Sequence, residues 1–461
     1  MAAHCPEMIS IMKQNKIVQK TLVILFWIAI WYVLALCVDN PVLLVTPDKV
    51  LVRIAKLAVT APFWKTVGAS LLRISAGFAL GTLAAFLCAA AAYRWRLAEE
   101  LLKPFINLTK TIPVVSFVVL LLIWWGSSVL AAAISFLVVF PNVYLNVLEG
   151  LKNADKQLLE MAQVFRVTRR NRFFYIYRPA LRPFVESAFR LSLGMSWKSG
   201  VAAEVIGTPA YSVGGQIYLS KIYLDTAGVL AWTAVTILAS ILLEKLVLRL
   251  VQCFFAWNPE WKHKRNAGDS LQGNFVCASR YRPETDVSKS AEKIVLSGVN
   301  KSFGEKKVLV NVSTTYEPGK TYYLTSPSGS GKTTLLRILT GLEKADSGSV
   351  CCPRCSMVFQ EDRLCEEYSA LQNVALVTGN IVRAKEALSF LLGKENVHEA
   401  CSRLSGGMKR RVALARAMEA DSEVVLLDEP FTGMDAETRQ RAEEYIRDRQ
   451  CGRTLIIATH I

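Results

Sequence analysis

A glycine- and serine-rich stretch at residues 326–334, with the sequence Ser-Pro-Ser-Gly-Ser-Gly-Lys-Thr-Thr, constrains the fold of this chain more than any other feature. It follows an apolar run at 321–324 and precedes residues 335–339, whose apolar side chains have helical spacing. A strand, a glycine-rich turn and a helix start form a cradle for phosphate, because backbone N–H groups and the helix dipole point at one anion. The stretch therefore predicts a nucleotide site.

The residues of this loop have separate expected roles. Lys332 is expected to reach the terminal phosphates, and the Thr333 hydroxyl to ligate Mg²⁺. The backbone of the loop is expected to hold the remaining phosphate oxygens at Ser328, Gly329, Ser330, Gly331 and Thr334. The usual pattern begins with glycine, and Ser326 stands there instead. Because serine is strained at positive φ, we expect some strain at this turn.

Two further motifs follow downstream. Residues 423–430 form an apolar run that ends in two carboxylates, Asp428 and Glu429. This is the form of a Walker B strand, with Asp428 in the metal shell and Glu429 beside the attacking water. Ser405, Gly406 and Gly407 precede a long helical pattern and predict a second anion-binding helix start. Because one site needs only one cradle, we expect the second to serve a nucleotide held by another copy.

These motifs resemble the nucleotide-binding domain of ABC transporters. Residues 404–408 are similar to the LSGGQ signature, with Met408 in place of glutamine. The resemblance extends to the Q-loop, the D-loop, the switch histidine and the aromatic residue that stacks on adenine, at Gln360, Asp435, His460 and Phe303.

The resemblance implies ATP and Mg²⁺ as cofactors. It implies catalytic roles for Glu429, His460 and Gln360, and metal ligation by Thr333, Gln360 and Asp428. Phe303 and Asp435 are expected to contact the nucleotide, as are the phosphate loop and the residues 405–407 of a partner copy.

The first half of the chain predicts a membrane domain. Hydrophobic residues make up 52% of the chain and are concentrated before residue 255. Six apolar stretches are long enough to cross a bilayer, at 21–38, 67–93, 105–125, 129–148, 184–206 and 228–248. Gly77 and Gly81 have the small-residue spacing that permits close helix contact. Residues 47–61 predict a short amphipathic helix on the outer interface.

Charge bias orients these spans. With the N-terminus inside, the inner segments carry fourteen lysines and arginines and the outer loops carry five. The excess inside favours this orientation and places the C-terminal half in the cytosol. The same distribution accounts for the net charge of +16, so we expect a lipid bilayer as partner and no nucleic acid.

The inner loop at 152–183 contains an amphipathic helix at 157–167, with Leu158, Met161, Ala162 and Phe165 on one face. Such a helix needs a groove on a partner or a membrane surface. Glu160, Met161, Ala162 and Pro179 resemble the EAA loop of ABC importer permeases, and spans two to six resemble the nitrate/sulfonate/taurine group. The resemblance implies docking on the ATPase near Gln360.

Two residues depart from the EAA pattern. Arg166 replaces the usual glycine, and Arg178 replaces an apolar residue before Pro179. Because arginine takes positive φ only at a cost, we expect the helix to continue past Arg166.

Polar residues in the apolar stretches and the scattered cysteines indicate further features. Lys198 and Glu204, at membrane depth, mark a candidate transport pathway, whereas Glu186 and Arg190 also fit the inner interface. The eleven cysteines are scattered, which indicates reduced thiols. Cys351, Cys352 and Cys355 predict a hairpin that turns at Pro353 and Arg354, in preference to a zinc site.

The predicted architecture is multi-domain: an all-α, six-helix transmembrane permease at 1–256, a linker at 257–290 and an α/β P-loop NTPase at 291–461. The chain ends one residue after His460, so we expect an ATPase domain that is short at its C-terminus. Because one chain carries one permease half and one ATPase, two chains are expected to form a C₂ homodimer.

The expected function is ATP-driven import of a small solute across the cytoplasmic (inner) membrane, with a separate extracytoplasmic solute-binding protein. The cargo suggested by the resemblance is a small anionic or zwitterionic molecule such as nitrate, a sulfonate or taurine, and a pyrimidine precursor of thiamine remains open. The alternatives are an ATP-driven exporter or lipid floppase, and an ATP-gated membrane scaffold that transports nothing.

Overall fold

The computed structural model describes residues 5–256, 292–327 and 329–459. It divides into two compact units, the first formed by Met1–Asn153 and Leu181–Trp257 and the second by Ala154–Ala180 and Asn258–Ile461. The linker predicted at 257–290, Ser328 of the phosphate loop and His460 all lie outside the described residues.

The first unit is helical. Its elements are α1 (Cys5–Val38), α2 (Pro47–Ala58), α3 (Ala61–Arg94), α4 (Arg96–Thr111), α5 (Val114–Trp125), α6 (Ser127–Lys152), most of α9 (Arg178–Gly207), α10 (Val213–Ile222) and α11 (Thr226–Ala256). Helices α3 and α6 pack at the predicted small residues. A Cβ on Gly77 would lie 2.1 Å from the Ala132 carbonyl oxygen, and one on Gly81 would lie 3.1 Å from that of Phe136. The close contact expected from this spacing is confirmed.

The six predicted spans correspond to described helices in different ways. Four described helices are long and apolar enough to cross a membrane: Thr21–Val38, Ala61–Arg94, Ser127–Lys152 and Thr226–Ala256. The span predicted at 105–125 is broken into α4 and α5, which meet at 103° and could form a fifth. Pro113 lies at the break. Proline has no N–H and keeps the residue before it extended, and Ile112 accordingly has ψ 130°.

The span predicted at 184–206 lies within the continuous helix α9, which is not among these four. It carries the ionisable residues Glu186, Arg190, Lys198 and Glu204 along its length. The amphipathic helix predicted at 47–61 is present as α2 and ends at Ala58.

The second unit contains two sheets. Strands β1 (Ile294–Phe303), β2 (Lys306–Tyr316) and β4 (Ser347–Cys351) form an antiparallel sheet in the order β2-β1-β4. Strands β3 (Thr321–Thr325), β5 (Cys355–Val358), β6 (Val424–Asp428) and β7 (Thr454–Thr459) form a parallel sheet in the order β3-β7-β6-β5. Every residue of β6 is buried, as its apolar run requires in a parallel sheet covered on both faces.

The helices of this unit connect and flank those strands. They are α7 (Lys156–Val164), α8 (Arg169–Arg172) with a π-helical turn (Phe173–Tyr177), α12 (Lys332–Leu339), α13 (Ala370–Thr378), α14 (Ile381–Leu392), α15 (Gly406–Met418) and α16 (Ala436–Arg449). Helix α12 follows β3 and α16 follows β6, so both begin at the edge of the parallel sheet where its strands end. That edge is where ligands bind in open α/β sheets.

The hairpin expected around Pro353 is not formed. Strand β4 pairs with β1 of the antiparallel sheet, whereas β5 pairs with β6 of the parallel sheet. Cys351 and Cys355 therefore belong to different sheets. The apolar residues of β5 are nearly all buried, and burial in the central sheet outweighs the local tendency of a proline-centred turn to fold back.

Helix α7 ends at Val164, earlier than expected. Arg166 adopts a left-handed conformation with φ +52°. The Val167 N–H donates to the Ala162 carbonyl at 2.9 Å and the Arg166 N–H to that of Gln163 at 3.1 Å, which is a Schellman motif. Val167 is 7% exposed. These bonds and this burial offset the roughly 1–2 kcal/mol that a non-glycine residue loses in this conformation.

Candidate functional site

The phosphate loop leads into α12 through a left-handed glycine. Gly331 has φ +92° and occupies the N-cap position, where it offers no side chain. A Cβ on Gly331 would lie 3.0 Å from the Val308 carbonyl oxygen and the Leu309 side chain, so only glycine fits. The N–H groups at the start of α12 therefore have no capping side chain from Gly331, and they suit an anion.

Three hydrogen bonds hold the described part of this loop together. The hydroxyls of Ser326 and Ser330 lie 2.7 Å apart. The Lys332 ammonium donates to the Ser326 carbonyl and, at 3.3 Å, to that of Pro327. Ser326 does not adopt positive φ, so the strain expected at this residue is absent. The glycine of the usual pattern is not needed here because the backbone of Ser326 is not left-handed.

Asp428, at the end of β6, fits a metal site. It is 1% exposed, and its Oδ2 atom has no hydrogen-bond partner within the described part of the chain. Burial raises the pKa of this carboxyl group, and a hydrogen bond from Thr333 opposes that rise. A buried carboxylate oxygen beside a threonine hydroxyl suits Mg²⁺, which prefers oxygen ligands. Gln360 lies two residues beyond β5, the strand next to β6, and is exposed.

Glu429 has a left-handed backbone, with φ +49°. Its N–H donates to the Ala458 carbonyl at 2.9 Å. Its own carbonyl accepts from Arg410 Nη2 at 2.7 Å and from the Thr432 hydroxyl at 3.1 Å. Left-handed non-glycine residues cost roughly 1–3 kcal/mol and persist where surrounding contacts hold them, often at functional sites.

Sequence reasoning missed Arg410, which connects three parts of this site. The residue belongs to α15 and is 2% exposed. Its guanidinium donates to the carbonyls of Phe359, Gln360, Asp428 and Glu429 and lies 3.3 Å from Asp362 Oδ1. The run Met408-Lys409-Arg410-Arg411 resembles a solvated basic helix face, and only the packing of α15 shows which of its cations is buried.

The second glycine-rich helix start is capped by its own serine. Ser405 Oγ accepts from the Met408 N–H at 3.4 Å. A Cβ on Gly407 would lie 2.6 Å from the Gly433 carbonyl oxygen, whereas one on Gly406 would meet nothing within 4 Å. Asp435 caps α16 by accepting from the Thr438 N–H at 2.8 Å, and the Thr438 hydroxyl lowers the pKa of this carboxyl group. The signature and D-loop segments are therefore neighbours.

Helix α7 packs into the core of the second unit, as expected from its resemblance to the EAA loop. Met161 and Ala162 are fully buried in the same apolar cluster as the strands of that unit. Phe165 lies 5.3 Å from the guanidinium carbon of Arg416, a fully buried residue of α15 whose pKa burial lowers to about 10. Arg416 also donates to the carbonyls of Arg363 and Asp362, at 2.7 and 2.9 Å.

Glu160 of α7 binds two arginines of the same unit. Arg337 in α12 donates from both terminal nitrogens to the two carboxylate oxygens, each at 3.0 Å, and Arg363 adds a bond of 2.7 Å. The Arg337 bond is the main cause of the lowered pKa of Glu160, and Arg363 contributes further. A planar pair of this kind specifies orientation as well as attraction.

Arg178, the other departure from the EAA pattern, is buried in the same unit. It is 3% exposed and donates to the Tyr368 hydroxyl at 3.4 Å. Tyr368 in turn donates to the Phe174 carbonyl at 2.8 Å and lies 4.6 Å, ring to ring, from Tyr175. The arginine thus finds polar and aromatic partners where an apolar residue was expected.

In the first, helical unit, Glu204 is fully buried and binds the start of α10. It accepts from Ser70 Oγ at 2.7 Å and from the Gly214 N–H at 3.2 Å, and Arg73 lies 3.4 Å away. Lys198 is exposed. The structure therefore does not bring together the two residues expected to mark a pathway, and it gives Glu204 three partners that no local sequence pattern indicated.

Comparison with known proteins adds to this geometry. Residues 309–432 match the family model described as ABC transporter, and residues 77–254 match the one described as binding-protein-dependent transport system inner membrane component. The ABC transporter match lies within the second unit, called the ATPase unit below, whereas the permease match covers most of the first unit, called the membrane unit, together with residues 154–180 of the second.

Curated relatives match the ATPase unit. An aliphatic sulfonates import ATP-binding protein of Rhodococcus jostii is 43% identical over 34% of this chain and 60% of its own length. One of Nocardia farcinica is 42% identical over 34% of this chain and 68% of its own length. An Fe(3+) ions import ATP-binding protein of Agrobacterium fabrum is 38% identical over 36% of this chain and 54% of its own length. The chain spans less than two thirds of the length of the Rhodococcus jostii protein. It belongs to the ABC transporter family, with a binding-protein-dependent permease domain and an ATP-binding domain in one polypeptide.

Proposed function

We propose that this chain imports a small solute across the cytoplasmic membrane, driven by ATP hydrolysis, as a fused half-transporter that works as a C₂ homodimer with a separate solute-binding protein. The observation that carries the proposal is the contact of Glu160 with Arg337 and Arg363. Helix α7 lies between the membrane helices α6 and α9 in the chain, and these contacts fasten it to the ATPase.

Each arginine belongs to a segment that also carries a residue of the nucleotide site. Arg337 belongs to α12, which begins at Lys332, and Arg363 follows Gln360 by three residues. Because α12 is short and its buried residues pack in the ATPase core, a shift at its phosphate end moves Arg337 as well. Rearrangement around the nucleotide would therefore displace Glu160 and the chain segments on either side of α7.

The chemistry rests on residues of one copy and on one segment of the other. Lys332 and the N–H groups after Gly331 bind the phosphates, and Phe303 stacks on adenine. Glu429 orients the attacking water and His460 stabilises the γ-phosphate. Thr333, Asp428 and Gln360 would hold Mg²⁺, which neutralises phosphate charge when bound. Residues 405–407 of the second copy complete the phosphate contacts, so the closed dimer is favoured when ATP is present.

The cargo is proposed from the permease rather than from the ATPase. Relatives of the ATPase are named for sulfonate import and for Fe(3+) import, so its similarity does not decide between them. The resemblance of the permease favours a nitrate-, sulfonate- or taurine-like molecule, with a thiamine pyrimidine precursor as the alternative.

The test uses the full chain reconstituted in proteoliposomes. We expect Mg-ATP hydrolysis that Glu429→Gln abolishes and that the copurifying solute-binding protein stimulates. A rate of ATP hydrolysis that no such binding protein changes, and that a lipid or drug substrate increases, would favour an exporter or floppase. Uptake that Glu429→Gln leaves unchanged would favour an ATP-gated scaffold.

The orientation is tested separately. Single cysteines at Lys156 and Lys306, in a background without native cysteines, should react with an impermeant maleimide from the same side of the membrane. Labelling from opposite sides would contradict the proposed coupling, because α7 could not then meet the ATPase in the intact transporter.

A further inference from the structure

Lys301, a lysine whose three ammonium donors all have partners, lies mostly buried in the ATPase unit, close to Phe303. The side chain of Lys301 is 10% exposed. Its ammonium lies 2.8 Å from Glu343 Oε1 and donates to the Lys344 carbonyl at 2.8 Å and to Asp346 Oδ1 at 3.2 Å. An ammonium has three donors, so this group is fully satisfied and held in one place. The bond to Glu343, and then that to Asp346, raise the pKa of Lys301, so it stays charged.

The ring of Phe303 lies against this cation. The Lys301 ammonium is 5.1 Å from the centroid of the ring. Phe303 is nevertheless 50% exposed, which shows that much of the ring remains open to solvent. Between the two residues, the Ser302 N–H donates to Asp346 Oδ2 at 2.7 Å. The backbone of β1 and the cation beside the ring are therefore anchored by the same carboxylate.

We propose that Lys301 is a positioning residue for nucleotide binding, whose fixed ammonium holds the Phe303 ring by one face so that the other face can receive a purine base. The inference rests on the proposed function, in which Phe303 stacks on adenine. A cation attracts the negative face of an aromatic ring and restrains it within about 6 Å.

The same cluster links the base to the phosphate loop. Glu343 and Asp346 lie in the turn after α12, and α12 begins at Lys332. The carboxylates that hold Lys301 are thus carried by the segment that follows the phosphate-binding helix. Loss of the Lys301 charge should weaken recognition of the base and leave recognition of the phosphates unchanged, which separates this role from a general structural one.

The experiment is a double-mutant cycle on the full-length reconstituted chain. Lys301→Gln keeps a hydrogen-bond donor and removes the charge, and Phe303→Ala removes the ring. We expect each to raise the KM for Mg-ATP about fivefold with kcat unchanged, since a cation–π contact of this kind corresponds to a factor of that order. The double variant should match Phe303→Ala alone, because Lys301 acts only through the ring.

Two controls sharpen the result. Lys301→Arg keeps the cation over the ring and should retain the KM of the parent chain. Inhibition of ATP hydrolysis by tripolyphosphate, which has no base, should be equally strong in the parent chain and in Lys301→Gln. If Lys301→Gln does not fold, Glu343→Gln, which leaves the lysine in place but loosens it, should raise KM in the same direction.

The outcomes distinguish this inference from the proposed function. Additive effects in the double variant, a lowered kcat, or weaker tripolyphosphate inhibition in Lys301→Gln would overturn the role of Lys301. A raised KM in Phe303→Ala without one in Lys301→Gln would overturn it as well. No Mg-ATP hydrolysis in the parent chain, or an unchanged KM in Phe303→Ala, would instead count against the nucleotide site itself.

Discussion

The two glycine-rich helix starts of the ATPase unit differ in how far the chain satisfies them itself. At α12 the N-cap residue is a left-handed glycine, and the neighbouring lysine turns back to loop carbonyls. At α15 the N-cap residue is Ser405, which accepts from the Met408 N–H, and Gly407 faces the Gly433 carbonyl. The first start is open to a ligand, whereas the second is already partly occupied by contacts within the chain.

This difference indicates unequal roles for two motifs of similar composition. An uncapped helix start gains most from a bound anion, because its N–H groups and dipole are otherwise satisfied only by water. A capped start gains less, and its position depends on the segment that it contacts. We therefore expect α12 to supply most of the nucleotide affinity, and α15 to report whether the nucleotide of the other copy is in place.

The largest effect is expected for Lys332→Ala. Removal of a charged donor aimed at developing phosphate charge lowers the rate of hydrolysis by about 100- to 1,000-fold, and affinity for ATP falls with it. Hydrolysis by the reconstituted chain and equilibrium binding of a fluorescent ATP analogue measure the two effects. Lys409→Ala, at the α15 start, is the matched control and should change affinity less than threefold. Equal losses in both variants would remove the distinction between the two starts.

The second prediction concerns the pH dependence of Mg²⁺ binding at Asp428. This residue contacts Thr333, which lies at the start of α12 and not of α15. Burial raises the pKa of this carboxyl group, so it takes up a proton at a higher pH than an ordinary aspartate. The protonated form is a poor metal ligand. The Mg²⁺ concentration needed for half-maximal hydrolysis should therefore rise as the pH falls through this raised pKa.

Titrations of Mg²⁺ at several pH values measure the effect. Asp428→Asn should hydrolyse ATP at least about 100-fold more slowly at every pH. An acid limb that lies in the ordinary aspartate range would contradict the raised pKa of this carboxyl group, and hydrolysis by Asp428→Asn at the rate of the parent chain would contradict its metal role.

A smaller effect is expected at the α15 start, from Gly407→Ala. The added methyl group would lie 2.6 Å from the Gly433 carbonyl oxygen, and relief of such overpacking costs about 1–3 kcal/mol. The melting temperature of the ATPase unit should fall by several degrees, while affinity for ATP at α12 stays within twofold. Gly406→Ala has open space around it and should melt as the parent chain does. The opposite order of the two glycines would show that α15 and the D-loop segment are not packed as described.

The smallest effect is expected for Ser405→Ala. Loss of an N-cap hydroxyl costs about 1 kcal/mol, and the alanine leaves the shape of the loop unchanged. Thermal unfolding should register this loss, and ATP affinity should fall far less than in Lys332→Ala, because the backbone of residues 405–407 still reaches the nucleotide of the other copy. A loss of affinity as large as that of Lys332→Ala would erase the contrast with α12.

The ATPase motifs could be predicted from sequence because each is short and its geometry is local. Gly331 precedes a helix, Asp428 ends a buried strand, and the structure brings Asp428 to Thr333 as the motifs imply. Their roles in catalysis remain predictions that the experiments above address.

The features that were missed depend on distant contacts. Arg166 takes a left-handed conformation because Val167 is buried and the helix end is closed by a Schellman motif. Cys355 enters the parallel sheet because β6 lies there to pair with it. The importance of Arg410 depends on four backbone carbonyls and one carboxylate, at 359–362 and 428–429, that reach its guanidinium only after folding. The break at Pro113 is different, since the proline itself was a readable signal inside an otherwise convincing apolar stretch.

The chain order of the two units has a practical consequence for the biochemist. Residues 154–180 are encoded among the membrane helices, yet Met161, Phe165 and Tyr175 belong to the apolar cluster of the ATPase. A fragment that starts at residue 292 would expose to water the apolar surface that these residues cover. It would also leave Arg337 and Arg363 without the carboxylate of Glu160. Supplying residues 154–180 as a peptide, or grafting them onto the fragment, is the natural way to obtain the enzyme free of detergent.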